Sequence, residues 1–129
     1  MIQPTCPFCT PDDSDVVLAN DLAIAFYDGF PVTPGHCLVV PRRHISSFFE
    51  TTQEEQAALF DLVAQMRELL LKERRPDGFN VGINDGAAAG QTVMHLHIHL
   101  IPRYAGDTED PRGGVRWIMP VKAPYWKTR

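Results

Sequence analysis

The feature that most constrains how this chain can fold is the segment 95–101, which reads His-Leu-His-Ile-His-Leu-Ile. A period of two is typical of a β-strand, because successive side chains of a strand point to opposite faces. The aliphatic residues would enter a core, and the histidines would line the other face at intervals of about 6–7 Å. Each imidazole carries a donor and an acceptor that need partners when buried. Three in strict alternation therefore indicate a functional site, formed by His95, His97 and His99.

Size and composition limit the classes of protein that are possible. The chain has 129 residues, 44% of them hydrophobic, which is enough for one domain with a real core. A formal charge of −4 argues against a broad nucleic-acid interface. We expect no membrane span and no signal peptide. Three cysteines do not form a secreted disulfide framework, so we expect a cytoplasmic protein without nucleic-acid or membrane partners.

Periodicity and turn residues predict a mixed α and β chain. Thr52 and Glu55 form a capping box that begins a long helix, which should end near Arg75, before Pro76. A short strand is also expected at 115–119. Alternating or turn-bounded apolar runs predict further strands at 16–19, 22–27, 36–40, 79–84 and 95–101.

Cys6 and Cys9 form a Cys-x-x-Cys pair, whose spacing suits one tetrahedral zinc ion. Redox chemistry is the competing use, but no thioredoxin-like pattern of strand, helix and strand surrounds the pair. The sequence has no second cysteine pair, so histidines would have to complete the coordination. His44 is a candidate ligand, although a solvated surface histidine would explain it too.

Two chemistries fit three histidines on one strand. They could bind a catalytic metal, or one imidazole could act as a nucleophile while the others organise a phosphate group. The interpretation with a histidine nucleophile accounts for more of the residues that precede the histidine segment. Imidazole titrates near neutrality, and an attacked phosphorus needs fixed hydrogen-bond donors. The small-residue loop 85–90 allows close backbone approach to a ligand, and Gln91 and Thr92 follow it directly.

The segment 95–101 also matches, at every position, the motif His-φ-His-φ-His-φ-φ of the histidine triad (HIT) superfamily, in which φ is hydrophobic. The chain resembles that family over about residues 6–103. Pro102-Arg103 followed by Gly106-Asp107 resembles the dinucleoside polyphosphate hydrolase branch, which contains the fragile histidine triad proteins. Other matching stretches are 26–28, 34–36, 39–45, 84–86 and 90–93.

The resemblance implies an α+β, HIT-like fold. It consists of an antiparallel sheet of about five strands with one long and one short helix, and two protomers pair into a ten-stranded sheet. We therefore expect a homodimer of a single HIT domain, residues 1–129. Residues 1–103 would be the core that carries the motif, and residues 104–129 a C-terminal extension.

The resemblance also implies a nucleotide hydrolase or transferase that attacks the α-phosphate of a purine nucleotide and forms a nucleotidyl-histidine intermediate, without a catalytic metal. A dinucleoside polyphosphate is the first expectation for the substrate. The alternatives are a purine nucleoside phosphoramidase, a dinucleoside polyphosphate phosphorylase, and a non-catalytic, zinc-stabilised nucleotide-binding protein. The implied catalytic residues are the nucleophile His97 with His99, His36, Gln91 and Thr92. The implied substrate-binding residues are Phe8, Phe26, Asp28, Leu38, Asn84, Gly90, Gln91 and Thr92.

By the same resemblance, relatives of the prokaryotic type bind a structural zinc ion through a Cys-x-x-Cys pair, a separate histidine and the first histidine of the triad. Here these ligands are Cys6, Cys9, His44 and His95. One departure concerns the base pocket. Many relatives carry a bulky aliphatic residue beside the ribose-binding aspartate, whereas this chain has Gly29. A wider base pocket is expected.

Overall fold

The fold is an open, five-stranded antiparallel sheet with one long helix, as expected from the resemblance. The computed structural model describes residue 3 and residues 5–127. The strands lie in the order β1-β2-β3-β5-β4, so β1 and β4 form the two edges. The long helix α1 spans Gln53–Arg74. The strands are β1 Val16–Ala19, β2 Ala23–Tyr27, β3 Cys37–Pro41, β4 Gly78–Ile83 and β5 Ile98–Arg103.

Helix α1 covers one face of the sheet and builds the main core there. The side chains of Leu59, Leu62, Met66 and Leu70 are fully buried against the sheet residues that point to this face. The opposite face carries a smaller cluster of Ile24, Phe26, Leu38 and Val40. Side chains alternate along a strand, so the sequence neighbours of the strand residues that pack against α1 point to the other face. That other face holds the candidate site.

Helix α1 begins where the sequence predicts. Thr52 accepts a hydrogen bond from the Glu55 backbone, and the Glu55 carboxylate accepts one from the Thr52 backbone. The same carboxylate accepts two bonds from Arg43, at 2.8 and 3.0 Å. The last helical residue is Arg74, and Arg75, in a left-handed backbone conformation (φ 51°), caps the helix directly before Pro76.

The histidine segment differs from its prediction in one respect. The strand β5 begins only at Ile98, so His95 and His97 precede it. The later start of β5 is explained by the hydrogen-bond partner of the backbone between His95 and His97. The backbone N–H of Leu96 donates to the Ile45 carbonyl (2.7 Å), in a loop rather than in a neighbouring strand. The alternation of faces persists, since Leu96, Ile98 and Leu100 all enter the α1 core.

The C-terminal tail also differs from its prediction. The expected strand at 115–119 is wrong, because a 3-10 helix occupies Gly114–Ile118. Gly113 and Gly114 both have positive φ, 92° and 47°, and this turn directs the chain into the helical segment. The expected short second helix corresponds only to such 3-10 turns in the part of the chain that the structure describes. Within those same residues, no helix has the length and apolar character needed to cross a bilayer.

Candidate active site and metal centre

A cleft of about 980 Å³ lies on the sheet face opposite α1. We call it the catalytic cleft. Its walls come from five parts of the chain: the N-terminal segment, the end of β2, Leu38 of β3, the loop before the histidine segment, and the histidines themselves. The catalytic candidates His97 and His99 line it, as do seven of the eight residues expected to bind substrate, namely Phe8, Phe26, Asp28, Leu38, Asn84, Gly90 and Thr92.

His97 is held in one tautomer by the backbone. Its Nδ1 lies 2.8 Å from the carbonyl oxygen of His95. A carbonyl oxygen only accepts hydrogen bonds, so Nδ1 carries a proton, and in the neutral ring Nε2 carries the lone pair. His97 as a whole residue is 8% exposed, and it borders the catalytic cleft. In its neutral form the ring thus offers Nε2 as a nucleophile or hydrogen-bond acceptor.

His99 and His36 form a second ordered pair. The backbone N–H of Val32 donates to Nδ1 of His36 (3.1 Å), so Nε2 of a neutral His36 carries the proton. That Nε2 lies 2.9 Å from Nδ1 of His99, which must therefore accept. A neutral His99 then carries its proton on Nε2. His99 lines the cleft and His36 does not, so His36 acts on the cleft through the lining residues that it contacts, His99 and Asp28.

Burial keeps both rings of this pair neutral at physiological pH. Desolvation lowers the pKa of His99 to about 4, and the neighbouring His97 and His36 rings add to that effect. Desolvation also lowers the pKa of His36, although the Asp28 carboxylate opposes the shift. The Asp28 Oδ2 atom lies 3.4 Å from Nε2 of His36. His99 is consequently a neutral hydrogen-bond donor at pH 7 rather than a cation.

Aromatic rings form the apolar side of the catalytic cleft. Phe8 contacts Phe26 with a centroid distance of 5.5 Å and meets His97 edge to face at 5.0 Å. Leu38 lies beside Phe26 in the same cluster. Phe8 belongs to the Cys6–Cys9 loop, so the segment that carries the two candidate cysteine ligands also supplies one wall of the cleft.

The side chain of Gln91, a candidate catalytic and substrate-binding residue, does not line the catalytic cleft. Its side chain is buried and turned into the protein. The side-chain oxygen accepts from the Gly86 backbone N–H (2.8 Å), and the amide nitrogen donates to the carbonyls of Ser46 and Val93. Gln91 therefore fixes the 86–90 loop, while Thr92 is the exposed neighbour that lines the cleft.

Several cleft residues lack any signal in the sequence. The polar side chains of Thr10, Asp12, Ser14 and Asp15 line the rim, yet their segment reads only as an acidic loop. The backbone groups that fix the histidine tautomers cannot be predicted from a sequence pattern either, because backbone amides and carbonyls occur throughout the chain.

The four predicted metal ligands converge. The Sγ atoms of Cys6 and Cys9 and the ring nitrogens of His44 and His95 all lie within 4.8 Å of one another. Four of the six ligand separations lie between 3.1 Å (Cys9 to His44) and 3.4 Å (Cys6 to His95). A tetrahedral zinc with bonds of about 2.0–2.3 Å requires ligand separations of about 3.3–3.8 Å. The set fits such an ion with only slight expansion.

The surroundings of these ligands favour metal binding as well. Nε2 of His95 lies 2.8 Å from the Pro41 carbonyl, so it carries the proton and Nδ1 presents its lone pair to the cysteines. Burial lowers the pKa of His95, which favours the neutral ring that binds metals. The Phe8 backbone N–H donates to Sγ of Cys6 (3.4 Å).

Comparison with known proteins decides the family. The sequence model of the family described as HIT domain matches residues 10–106. The chain belongs to the HIT family. It is 37% identical over 108 residues to an uncharacterised HIT-like protein of Saccharolobus solfataricus, covering 81% of this chain and 78% of that one.

Two relatives with named activities lie within the HIT family matches. One is a bis(5'-nucleosyl)-tetraphosphatase (asymmetrical) of Schizosaccharomyces pombe, 38% identical over 75% of this chain. The other is an AP-4-A phosphorylase of Mycobacterium tuberculosis, 36% identical over 78% of this chain. The match covers only 53% and 52% of these two relatives.

Solved HIT structures have the same fold. A HIT family protein from Bacillus subtilis aligns with a TM-score of 0.73 at 36% identity, covering 80% of this chain and 76% of that one. A zinc-bound histidine triad family protein from Mycobacterium smegmatis aligns with a TM-score of 0.72 at 28% identity, covering 97% and 98% of the two chains.

Proposed function

We propose that this HIT protein is a nucleotide hydrolase or transferase in which His97 attacks the α-phosphorus of a purine nucleotide derivative. The observation that carries the proposal is the bond from Nδ1 of His97 to the His95 carbonyl. It leaves the Nε2 lone pair in a ring that borders the catalytic cleft. A nucleophile needs its lone pair directed at the reacting atom and an adjacent group that fixes its orientation.

The first chemical step forms a bond from Nε2 to phosphorus and breaks the bond from phosphorus to the leaving group. The imidazole ring becomes positively charged, and the His95 carbonyl dipole stabilises that charge through the Nδ1 proton. Neutral His99 donates a hydrogen bond from its Nε2–H to a non-bridging phosphate oxygen. Thr92 and the loop at Gly90 border the same space and would bind other oxygens. Water or phosphate then cleaves the nitrogen–phosphorus bond.

The nucleoside would occupy the remainder of the catalytic cleft. We propose that Asp28 binds the ribose hydroxyls, while its Oδ1 accepts the Phe30 backbone N–H. Phe8, Phe26 and Leu38 would surround the base, as their contacts form the apolar side of the cleft. Asn84 lies at the edge of the same cavity and would steady the phosphate end.

A dinucleoside polyphosphate is the proposed substrate. The support is Pro102-Arg103 followed by Gly106-Asp107, together with the two relatives named for tetraphosphate cleavage. The AP-4-A phosphorylase relative makes phosphate a specific second candidate for the final acceptor. The phosphoramidase alternative keeps the same nucleophile and changes only the leaving group.

Product analysis separates these activities. Cleavage of diadenosine tetraphosphate by water at the α-phosphorus yields AMP and ATP, whereas cleavage by phosphate yields ADP and ATP. Adenosine phosphoramidate would yield AMP and ammonia. Nucleotide binding with no turnover of any of these compounds would contradict the enzymatic proposal and favour a zinc-stabilised nucleotide-binding protein.

The nucleophile is tested by trapping the intermediate. Wild-type protein quenched during turnover should carry one nucleotide on His97, detected by mass spectrometry of its peptides. His97→Ala should lose both the adduct and turnover, while nucleotide binding measured by calorimetry persists. His99→Gln is the matched control, because it should slow turnover and retain an adduct on His97. An adduct on any other side chain would overturn the assignment.

We further propose that Cys6, Cys9, His44 and His95 bind one structural zinc ion. The ion would tie the N-terminal segment to the histidine segment and so hold Phe8 against the catalytic cleft. The converging ligands and the zinc-bound relative support this assignment. Elemental analysis should find about one zinc per chain in wild-type protein and none in Cys6→Ser/Cys9→Ser.

We propose that the chain forms a homodimer by pairing one edge of its sheet with the same edge of a second copy. Strand β4 is an edge strand of six residues with Val81 exposed, whereas β1 at the other edge has four. An exposed edge presents unpaired backbone groups that can pair with a second copy. We propose pairing through β4, which light scattering of the purified protein would test by giving twice the chain mass.

A further inference from the structure

A second cavity, of about 680 Å³, lies between the sheet and the C-terminal tail. We call it the tail cleft. Ile101 and Arg103 of β5 form its floor, Thr33 forms part of one wall, and Trp117 and Trp126 of the tail form another. None of these residues lines the catalytic cleft.

The tail cleft and the catalytic cleft share one face of the sheet. Residues two apart on a strand point to the same side, so His99, Ile101 and Arg103 form one row. His99 borders the catalytic cleft and Ile101 borders the tail cleft. Their separation along the strand is about 6–7 Å. A ligand held at His99 therefore has its extension directed toward the tail cleft or toward solvent.

The two indole rings of the tail cleft are fixed by one arginine. The Arg112 guanidinium lies 4.5 Å from the Trp126 ring centroid, and the Arg112 carbonyl accepts the indole N–H of Trp117 (2.7 Å). Asp110 in turn binds the Arg112 guanidinium at 3.0 Å. Rings that are ordered before binding lose little conformational entropy when a flat ligand stacks on them.

The polar groups of the tail cleft leave a mixed, largely neutral surface. Asp107 accepts two bonds of 2.8 Å from Arg103, which holds the pKa of Asp107 near 2 and cancels its charge. Glu109 and Lys127 are exposed at the rim. The indole N–H of Trp126 is buried and has no hydrogen-bond partner among the residues that the structure describes, a state that costs free energy.

We propose that the tail cleft binds the second base of a dinucleoside polyphosphate whose first nucleotide occupies the catalytic cleft. This inference rests on the function proposed above and assigns the distal half of its substrate. Indole rings suit a base because stacking is strong and tolerant of base identity. The phosphate chain would cross the β5 row between His99 and Ile101, and the tail would thereby select substrates with two nucleosides over mononucleotides.

The chain offers a direct optical test, because both of its tryptophans line the tail cleft. A non-hydrolysable, methylene-bridged diadenosine tetraphosphate is titrated into wild-type protein, with AMP and adenosine tetraphosphate as single-nucleoside controls. The dinucleotide should change tryptophan emission on excitation near the red edge, and the two controls should not. Calorimetry on the same samples reports total binding. Dinucleotide bound with unchanged emission, or no tighter than adenosine tetraphosphate, would overturn the proposal.

Substitution provides the second measurement. Trp117→Ala should weaken dinucleotide binding by about 5- to 100-fold and leave AMP binding unchanged. Trp117→Phe should retain most of the affinity, since it keeps a ring. Val121→Ala is the matched control, being an exposed apolar residue of the same tail outside the cleft. Equal losses for dinucleotide and AMP in Trp117→Ala would indicate a structural role and overturn the subsite.

These outcomes separate the two proposals. If wild-type protein turns over no nucleotide while the dinucleotide still perturbs tryptophan emission, the enzymatic function fails and the subsite stands. If turnover is normal and Trp117→Ala changes the affinities for dinucleotide and for AMP by the same factor, the subsite fails and the enzymatic function stands.

Discussion

Acid should destabilise this protein through His99, and the effect can be isolated by one substitution. The ring has a pKa of about 4 in the folded chain, against 6.5 for an unperturbed histidine. Between these values the unfolded chain binds a proton that the folded chain does not. Stability from this group is therefore complete above pH 6.5 and is lost as the pH falls toward 4.

The magnitude follows from the size of the pKa difference. One pKa unit corresponds to about 1.4 kcal/mol, so the difference between 6.5 and about 4 sets an upper bound of about 3 kcal/mol for His99. The ring borders the open catalytic cleft, where solvent screens part of its interaction with His36 and His97. We therefore expect a loss of about 1–3 kcal/mol between pH 7 and pH 4.5.

The assay is urea unfolding of wild-type protein and His99→Gln at several pH values in this range. Both proteins contain the Cys and His residues of the proposed zinc site, so acid release of a bound metal would affect both alike and cancel in the comparison. The free energy of unfolding should fall by about 1–3 kcal/mol more in wild type than in His99→Gln. Parallel pH profiles would show that His99 is not held neutral by the fold.

Three further substitutions test other parts of the structure. Cys6→Ser/Cys9→Ser should abolish zinc binding and lower the melting temperature. A double variant that melts like wild type and binds as much zinc would rule out the metal site. Gly29→Leu should strengthen purine nucleotide binding a few-fold, because nothing lies within 4 Å of a Cβ added at this cleft residue. Unchanged affinity by calorimetry would show that the base lies elsewhere. Glu55→Ala should cost about 2–3 kcal/mol of unfolding free energy, because it removes half of the capping box and leaves Arg43 without its carboxylate. A loss below about 0.5 kcal/mol in chemical denaturation would contradict that account.

Local sequence patterns predicted the elements well wherever one local force decides them. The capping box at Thr52 and the stop before Pro76 fix the ends of α1, since both act through bonds within a few residues. The alternation at 95–101 also assigned the faces correctly. The start of β5 and the fate of the segment 115–119 were missed, because pairing with a neighbouring strand and the turn at Gly113 depend on distant contacts and backbone angles.

The sequence by itself determined the residue types: three alternating histidines, a Cys-x-x-Cys pair, and two tryptophans in the tail. Only the tertiary structure decided how the histidines divide. One ring turns to the cysteines, one to the cleft, and one to a buried partner. The reason is that carbonyl and amide groups from distant residues set each ring's tautomer, and no pattern of side chains encodes where those backbone groups will lie.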